Sequence, residues 1–194
     1  MEGMQYLANA IENNTTLTTL NLEGSCIHAE GTQYLAQALQ NNTSLTVLNL
    51  KSNLISTEGA QHLAKALKTN KSLITLDLAR NNINEQGVRC LASALEKNTT
   101  LMTLDFGYNS IDDKGIQHLA NALKNNITLT TLSLYHNRIS LQGALYLANA
   151  LQNNKTLTSL DLGYNQIGIQ NVRSLTYELR RHKVNLVLYH SLRI

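Results

Sequence analysis

Apolar and polar positions alternate in short blocks that recur along the whole chain. Eleven-residue blocks begin at Leu17, Leu45, Leu73, Leu101, Leu129 and Leu157 and share the form L-x-x-L-x-L-x-x-N-x-I. The first reads LTTLNLEGSCI, with Ser25 where the others carry Asn; the fourth reads LMTLDFGYNSI. Alternation of this kind predicts a short strand with one face buried. A second pattern follows each block, as in EGTQYLAQALQNN from Glu30 and KGIQHLANALKNN from Lys114. Its L-A-x-A-L core sets apolar residues at i, i+1, i+3 and i+4, one face of a helix. The small Ala residues let that helix lie close to its strand. Gly at 3, 31, 59, 87, 115 and 143 keeps a spacing of 28, and Asn171 takes the seventh place.

Boundary residues sharpen the helices. Ser56, Asn84, Asp112 and Ser140 open four of them and can accept hydrogen bonds from free backbone amides. Glu30 and Glu58 fall in first turns, where the helix dipole favours negative charge. Asn pairs such as Asn41–Asn42 and Asn125–Asn126 close the helices, and the expected stop is a left-handed Asn. Thr or Ser then leads into the next strand. This succession creates Asn-x-Ser/Thr triplets at Asn14, Asn42, Asn70, Asn98, Asn126 and Asn154 without any need for glycosylation.

The expected architecture is α/β. It is a right-handed solenoid of 28-residue units, a horseshoe with a parallel concave sheet and convex helices. Strands pack ~4.8 Å apart and helices are ~10 Å wide, so the stack must curve with its strands inside. Asn53, Asn81, Asn109, Asn137 and Asn165, at motif position 9, are expected to point inward and bond neighbouring loop backbones. Six tandem copies of the motif identify a leucine-rich repeat. The chain resembles its ribonuclease-inhibitor-like class along essentially its whole length, and the motifs are similar to those of NOD-like receptors, Ran GTPase-activating protein and bacterial effectors. That resemblance implies protein recognition.

Residues 17–167 are expected to form the core repeats of a single domain. Residues 1–16 form an incomplete unit, a helix without its strand, which points to a natural protein that continues upstream. Residues 168–194 depart from the pattern, with Thr176 and Glu178 where Ala is usual, and are expected to cap the solenoid.

Composition now has a cause. The 24 Asn and 19 Thr beside 36 Leu follow from the repeated unit, and the absence of Pro reflects turns made by Asn and Gly. Two Cys cannot build a disulfide framework. No apolar run reaches the ~18 residues of a membrane span, and no secretory signal opens the chain. The net charge of +3 is uneven. Residues 1–170 hold 11 Lys/Arg against 12 Asp/Glu, a net of −1; residues 171–194 hold five against one, a net of +4. The basic run Arg180-Arg181-His182-Lys183 at a helix end reads as dipole compensation in a solvated cap rather than a nucleic-acid or lipid contact, because no aromatics interleave with it.

Candidate chemistry lies at motif positions 3, 5, 7 and 8, which project from the concave face. Position 5 carries Asp77, Asp105 and Asp161, an acidic row that could act as paired general acid and base. The preferred reading is structural, a bond from each Asp to the next strand. Position 8 runs Arg80, Tyr108, His136, Tyr164, with Tyr135 beside it at position 7. Arg and aromatic residues are enriched in binding hot spots, so this column, with Asp77, Asp105 and Asp161 beside it on the concave face, is the candidate protein-binding surface. His62 and His118 sit two repeats apart, too far for one metal, and neither Cys26 nor Cys90 has a neighbour that would activate it. No phosphate loop or zinc spacing occurs. The expected protein is a monomeric, cytoplasmic, non-catalytic interaction module without cofactor, probing a partner protein rather than nucleic acid or membrane. The alternatives are a GTPase-activating regulator acting through Arg80, a receptor's ligand-sensing domain, and an effector's targeting domain.

Overall fold

A computed structural model of the chain describes residues 2–181 and 183–188. Helices and strands alternate without exception among them. The order is α1 (Glu2–Glu12), β1 (Thr19–Asn21), α2 (Ala29–Asn41), β2 (Val47–Asn49), α3 (Ser56–Leu67), β3 (Thr75–Asp77) and α4 (Glu85–Leu95). It continues with β4 (Thr103–Asp105), α5 (Asp113–Leu123), β5 (Thr131–Ser133), α6 (Leu141–Leu151), β6 (Ser159–Asp161), α7 (Ile169–Arg181) and β7 (Asn185–Val187).

The strands form one parallel sheet in chain order, β1 to β7. Register repeats the sequence period: Leu48 pairs with Leu76, Leu76 with Leu104 and Leu104 with Leu132. The last step is two residues shorter, since Ser159 pairs with Asn185. The fold is the expected solenoid.

One core runs along the stack between sheet and helices. The strand leucines Leu48, Leu76, Leu104, Leu132 and Leu160 are buried, as are the Leu-Ala helix faces. Phe106, the single Phe, replaces a position-6 leucine and is fully buried. The periodic Gly has a packing reason at helix starts. A Cβ added at Gly87 would sit 2.7 Å from Ile83 Cγ2 of its own loop.

Two asparagine spines tie unit to unit. In the first, position-9 Asn behaves as expected. Asn109 Nδ2 donates to Leu78 O at 2.8 Å in the preceding unit, and its Oδ1 accepts from Asn81 N at 3.1 Å and Ile83 N at 3.0 Å. Asn53, Asn81, Asn137 and Asn165 repeat the theme.

The second spine corrects the expected helix stop. Asn42 is extended (φ −68°, ψ 131°), not left-handed. Its Oδ1 accepts from Ser44 N and Leu45 N, turning the chain, while Nδ2 donates to Ile11 O at the end of α1. Asn70, Asn98, Asn126 and Asn154 likewise reach back to Leu39, Leu67, Leu95 and Leu123 carbonyls. Each amide thus satisfies a carbonyl that a helix C-terminus leaves free. All five are buried, and each accepts at Oδ1 from the N–H of the Ser or Thr that completes its triplet.

Helix starts need one further correction. Asn84, Asp112 and Ser140 cap their helices through side chains, but Ser56 does not. Ser56 is left-handed (φ 59°), and its N–H goes to Asn81 O of the next unit.

Candidate functional site

Strand geometry divides each block cleanly. Positions 4 and 6 face the core, while positions 3 and 5 stay partly exposed on the other side. Beyond the strand, the ladder continues: position-8 N–H donates to the position-7 carbonyl of the next unit, as in Arg80 N to Gly107 O and Tyr108 N to Tyr135 O, both 2.9 Å. Keeping that bond while the chain turns away forces position 8 into the left-handed region. Ser52, Arg80, Tyr108, His136 and Tyr164 all have φ between 52° and 57°, and the first unit places Gly24 there. A side chain at such φ costs ~1–2 kcal/mol.

The column of Arg80, Tyr108, His136 and Tyr164 is continuous in space. The Arg80 guanidinium carbon stands 3.8 Å over the Tyr108 ring, a cation–π contact. Tyr108 stacks on His136 with centroids 4.3 Å apart and planes 19° apart, and His136 continues to Tyr164 at 6.4 Å. Tyr135 packs beside the column, 5.4 Å from Tyr108 and 5.0 Å from Tyr164. Burial, then the neighbouring Tyr108 hydroxyl, pushes the Tyr135 hydroxyl up to about 12.

The acidic row lies alongside. Asp77 and Asp105 pair in register, and Ser133 separates Asp105 from Asp161. Their bonds differ from the expected strand-to-strand link. Asp77 Oδ1 accepts from Ala79 N, Asp105 Oδ1 from Gly107 N and Asp161 Oδ1 from Gly163 N, at 2.7–2.8 Å, each two residues ahead in its own chain. The strand-facing amides are already used by the ladder, so the side chain turns to the free N–H after the strand. Burial, reinforced by Asp105, holds the Asp77 and Asp161 carboxyls above their ordinary value.

Some features were not anticipated. Ala79 and Gly107 at position 7 are buried and small, leaving an open hollow of about 260 Å³ walled by Tyr108 and Tyr135. The run of Ala, Gly, Tyr, Gly was its signal in the sequence. At the other end of the sheet, Lys51 Nζ meets Glu23 at 3.1 Å, a pairing legible from adjacent position-7 residues. On the convex side His62 lies in α3 and His118 in α5, with His118 3.9 Å from Glu85 of α4. Among the described residues, no three His, Cys, Asp or Glu converge to hold a metal ion, and no helix is long and apolar enough to cross a membrane. Of the basic run, His182 and the Arg180 side chain lie outside the described residues; Arg181 is exposed, 4.0 Å from Glu178.

The family pattern described as Leucine Rich repeat matches residues 13–36, 41–64, 69–92, 97–120, 125–148 and 153–168. Comparison with curated proteins gives no match. Among solved structures, that of leiomodin-1 actin-binding site 2 is similar over 93% of this chain and 95% of that one, with 26% identity and a TM-score of 0.66. A tropomodulin C-terminal domain from Caenorhabditis elegans covers 93% of this chain and 92% of its own, at 16% identity and a TM-score of 0.56, which speaks to the fold alone.

Proposed function

The chain belongs to the leucine-rich repeat family, and we propose that it is a non-catalytic, cytoplasmic module whose concave face binds a partner protein. The observation that carries this reading is the aromatic column on β3–β6. Four large side chains occupy successive left-handed positions that Gly24 fills in the first unit. The turn imposes that conformation on every unit, Ser52 included, so the side chains rather than the strain call for a partner: Arg80, His136 and Tyr164 are exposed, and packing with the core does not account for their size. Residues 168–194 are assigned as the closing cap, of which residues 189–194 lie outside the described residues.

Actin is the first partner to test, because the leiomodin-1 neighbour is named as an actin-binding site. A GTPase-activating role through Arg80 has less support, since its guanidinium already lies on the Tyr108 ring. The experiment compares wild type with Tyr108→Ala/Tyr164→Ala by calorimetric titration with monomeric actin, and by identifying proteins retained by each on a column. Partner binding weakened tenfold or more, with melting unchanged, supports the reading. Equal affinity and identical retained proteins reject it; no binding to actin rejects actin alone.

A further inference from the structure

The three carboxylates beside the column do something that the turn does not require. In β1 and β2 the same position holds Asn21 and Asn49, and each makes the same bond, to Glu23 N at 3.0 Å and Lys51 N at 2.9 Å. An amide therefore suffices for the turn. In β3, β4 and β6 the amide is replaced by a charge, and each Asp gives only Oδ1 to the backbone. The second oxygens have no hydrogen-bond partner among the described residues.

Lys51 lines the edge of the hollow and favours the Asp77 charge from a distance, but no cation among the described residues bonds any of the three carboxylates. Lys51 is held by Glu23, and Arg80 lies on Tyr108. No ion pair to Asp77, Asp105 or Asp161 forms among the described residues. Two neighbouring carboxylates half-removed from water, one strand spacing apart, repel each other. Burial first, then the charge of Asp105, favours protonation at Asp77 and Asp161. A positive group seated between them would relieve both.

The shape fits such a group. Above Asp77 and Asp105 the small Ala79 and Gly107 leave the floor open, and Tyr108 and Tyr135 wall it, in a hollow of about 260 Å³. The carboxylates are spread along the sheet and do not converge as metal ligands would. Spread acceptors with aromatic walls match the long, partly apolar stem and charged head of a basic side chain. Phosphate-bearing partners would meet repulsion here.

Building on the protein-binding reading, we propose that this hollow receives a lysine or arginine side chain from a basic segment of the partner protein, with Asp77 and Asp105 bonding its charged head.

The test uses the full chain labelled with nitrogen-15 and a tetra-arginine peptide, with the citrulline peptide as its neutral match. Saturable shifts of the Gly107 and Gly163 amides, which donate to Asp105 and Asp161, are expected with arginine and not with citrulline. They should weaken at least tenfold in Asp77→Asn/Asp105→Asn, whose fold is safeguarded by the Asn already present in β1 and β2. Equal shifts from citrulline, or unchanged arginine binding in the double variant, would overturn the proposal. The two readings separate on the protein partner. If Tyr108→Ala/Tyr164→Ala weakens it and Asp77→Asn/Asp105→Asn does not, the concave face remains the binding surface and the basic-segment proposal falls. If neither substitution pair matters, both fall.

Discussion

The first two strands and the next four share one backbone and one core, yet their outward faces are opposites. On β1 and β2 the outward residues satisfy each other: Asn21 and Asn49 close their turns, Glu23 pairs with Lys51, and the left-handed position holds only the small Gly24 and Ser52. On β3–β6 the outward residues leave needs unmet, with bare carboxylate oxygens beside a strained aromatic column. Inward positions are nearly identical in both regions. Inward positions specify the solenoid, and under the proposed function the outward ones select what it touches.

The largest expected effect breaks what the two regions share. Asn109→Ala removes a buried amide and strands Asn81 N, Ile83 N and Leu78 O. Unmade buried bonds cost ~1–3 kcal/mol each, so we expect a loss of about 3 kcal/mol by chemical denaturation. A loss below about 1 kcal/mol would mean that the spine is not a stabilising element.

Next in size is the outward column. Tyr108→Ala/Tyr164→Ala should lower partner affinity at least tenfold while the melting temperature moves by less than ~4 °C, the shift of about 1 kcal/mol in a domain this size. Titration calorimetry and a melting curve on the same sample check both halves.

A smaller effect converts one region into the other. Burial raises the Asp77 carboxyl above its ordinary value of 3.8. The native state therefore holds that proton more readily than the unfolded state, and the charged form works against folding at neutral pH. Asp77→Asn, which copies Asn49, should melt higher than wild type at pH 7 by no more than ~2 °C. The gain should fade as pH falls through the raised value toward 3.8. A variant that melts lower at pH 7 would show the charge to be stabilising instead.

The smallest effect sits on the satisfied side. Glu23 and Lys51 are well exposed, and exposed pairs contribute little. Glu23→Gln should leave the melting curve unchanged within error, and partner affinity as well.

How legible all this was depended on which way a residue faces. Leu76, Ala92 and Asn109 repeat with the unit, so period alone placed them. Asn70 carries the same period, yet period cannot say which carbonyl its amide meets; a helix stop and a reach to Leu39 O look alike in sequence. The strain at Tyr108 was hidden for a different reason. Only Gly24 signals a left-handed site by its chemistry, and Arg, Tyr and His do not. The column itself was legible because its members align, and their contact followed from the register. The hollow shows in the sequence only as small residues at position 7, since it is made by side chains that Ala79 and Gly107 lack.

Under the proposed function, the position-8 side chains of β3–β6 are carried for a partner and not for the fold. Replacing Arg80, Tyr108, His136 and Tyr164 together by Gly removes ~1–2 kcal/mol of left-handed strain per site. It forfeits stacking of ~0.5–1.5 kcal/mol per pair and adds ~0.5–1 kcal/mol per Gly of chain entropy. These nearly cancel, so the melting temperature of the fourfold variant should stay within ~3 °C of wild type. A fall of more than ~10 °C would show that the column holds the solenoid together, and would contradict the account.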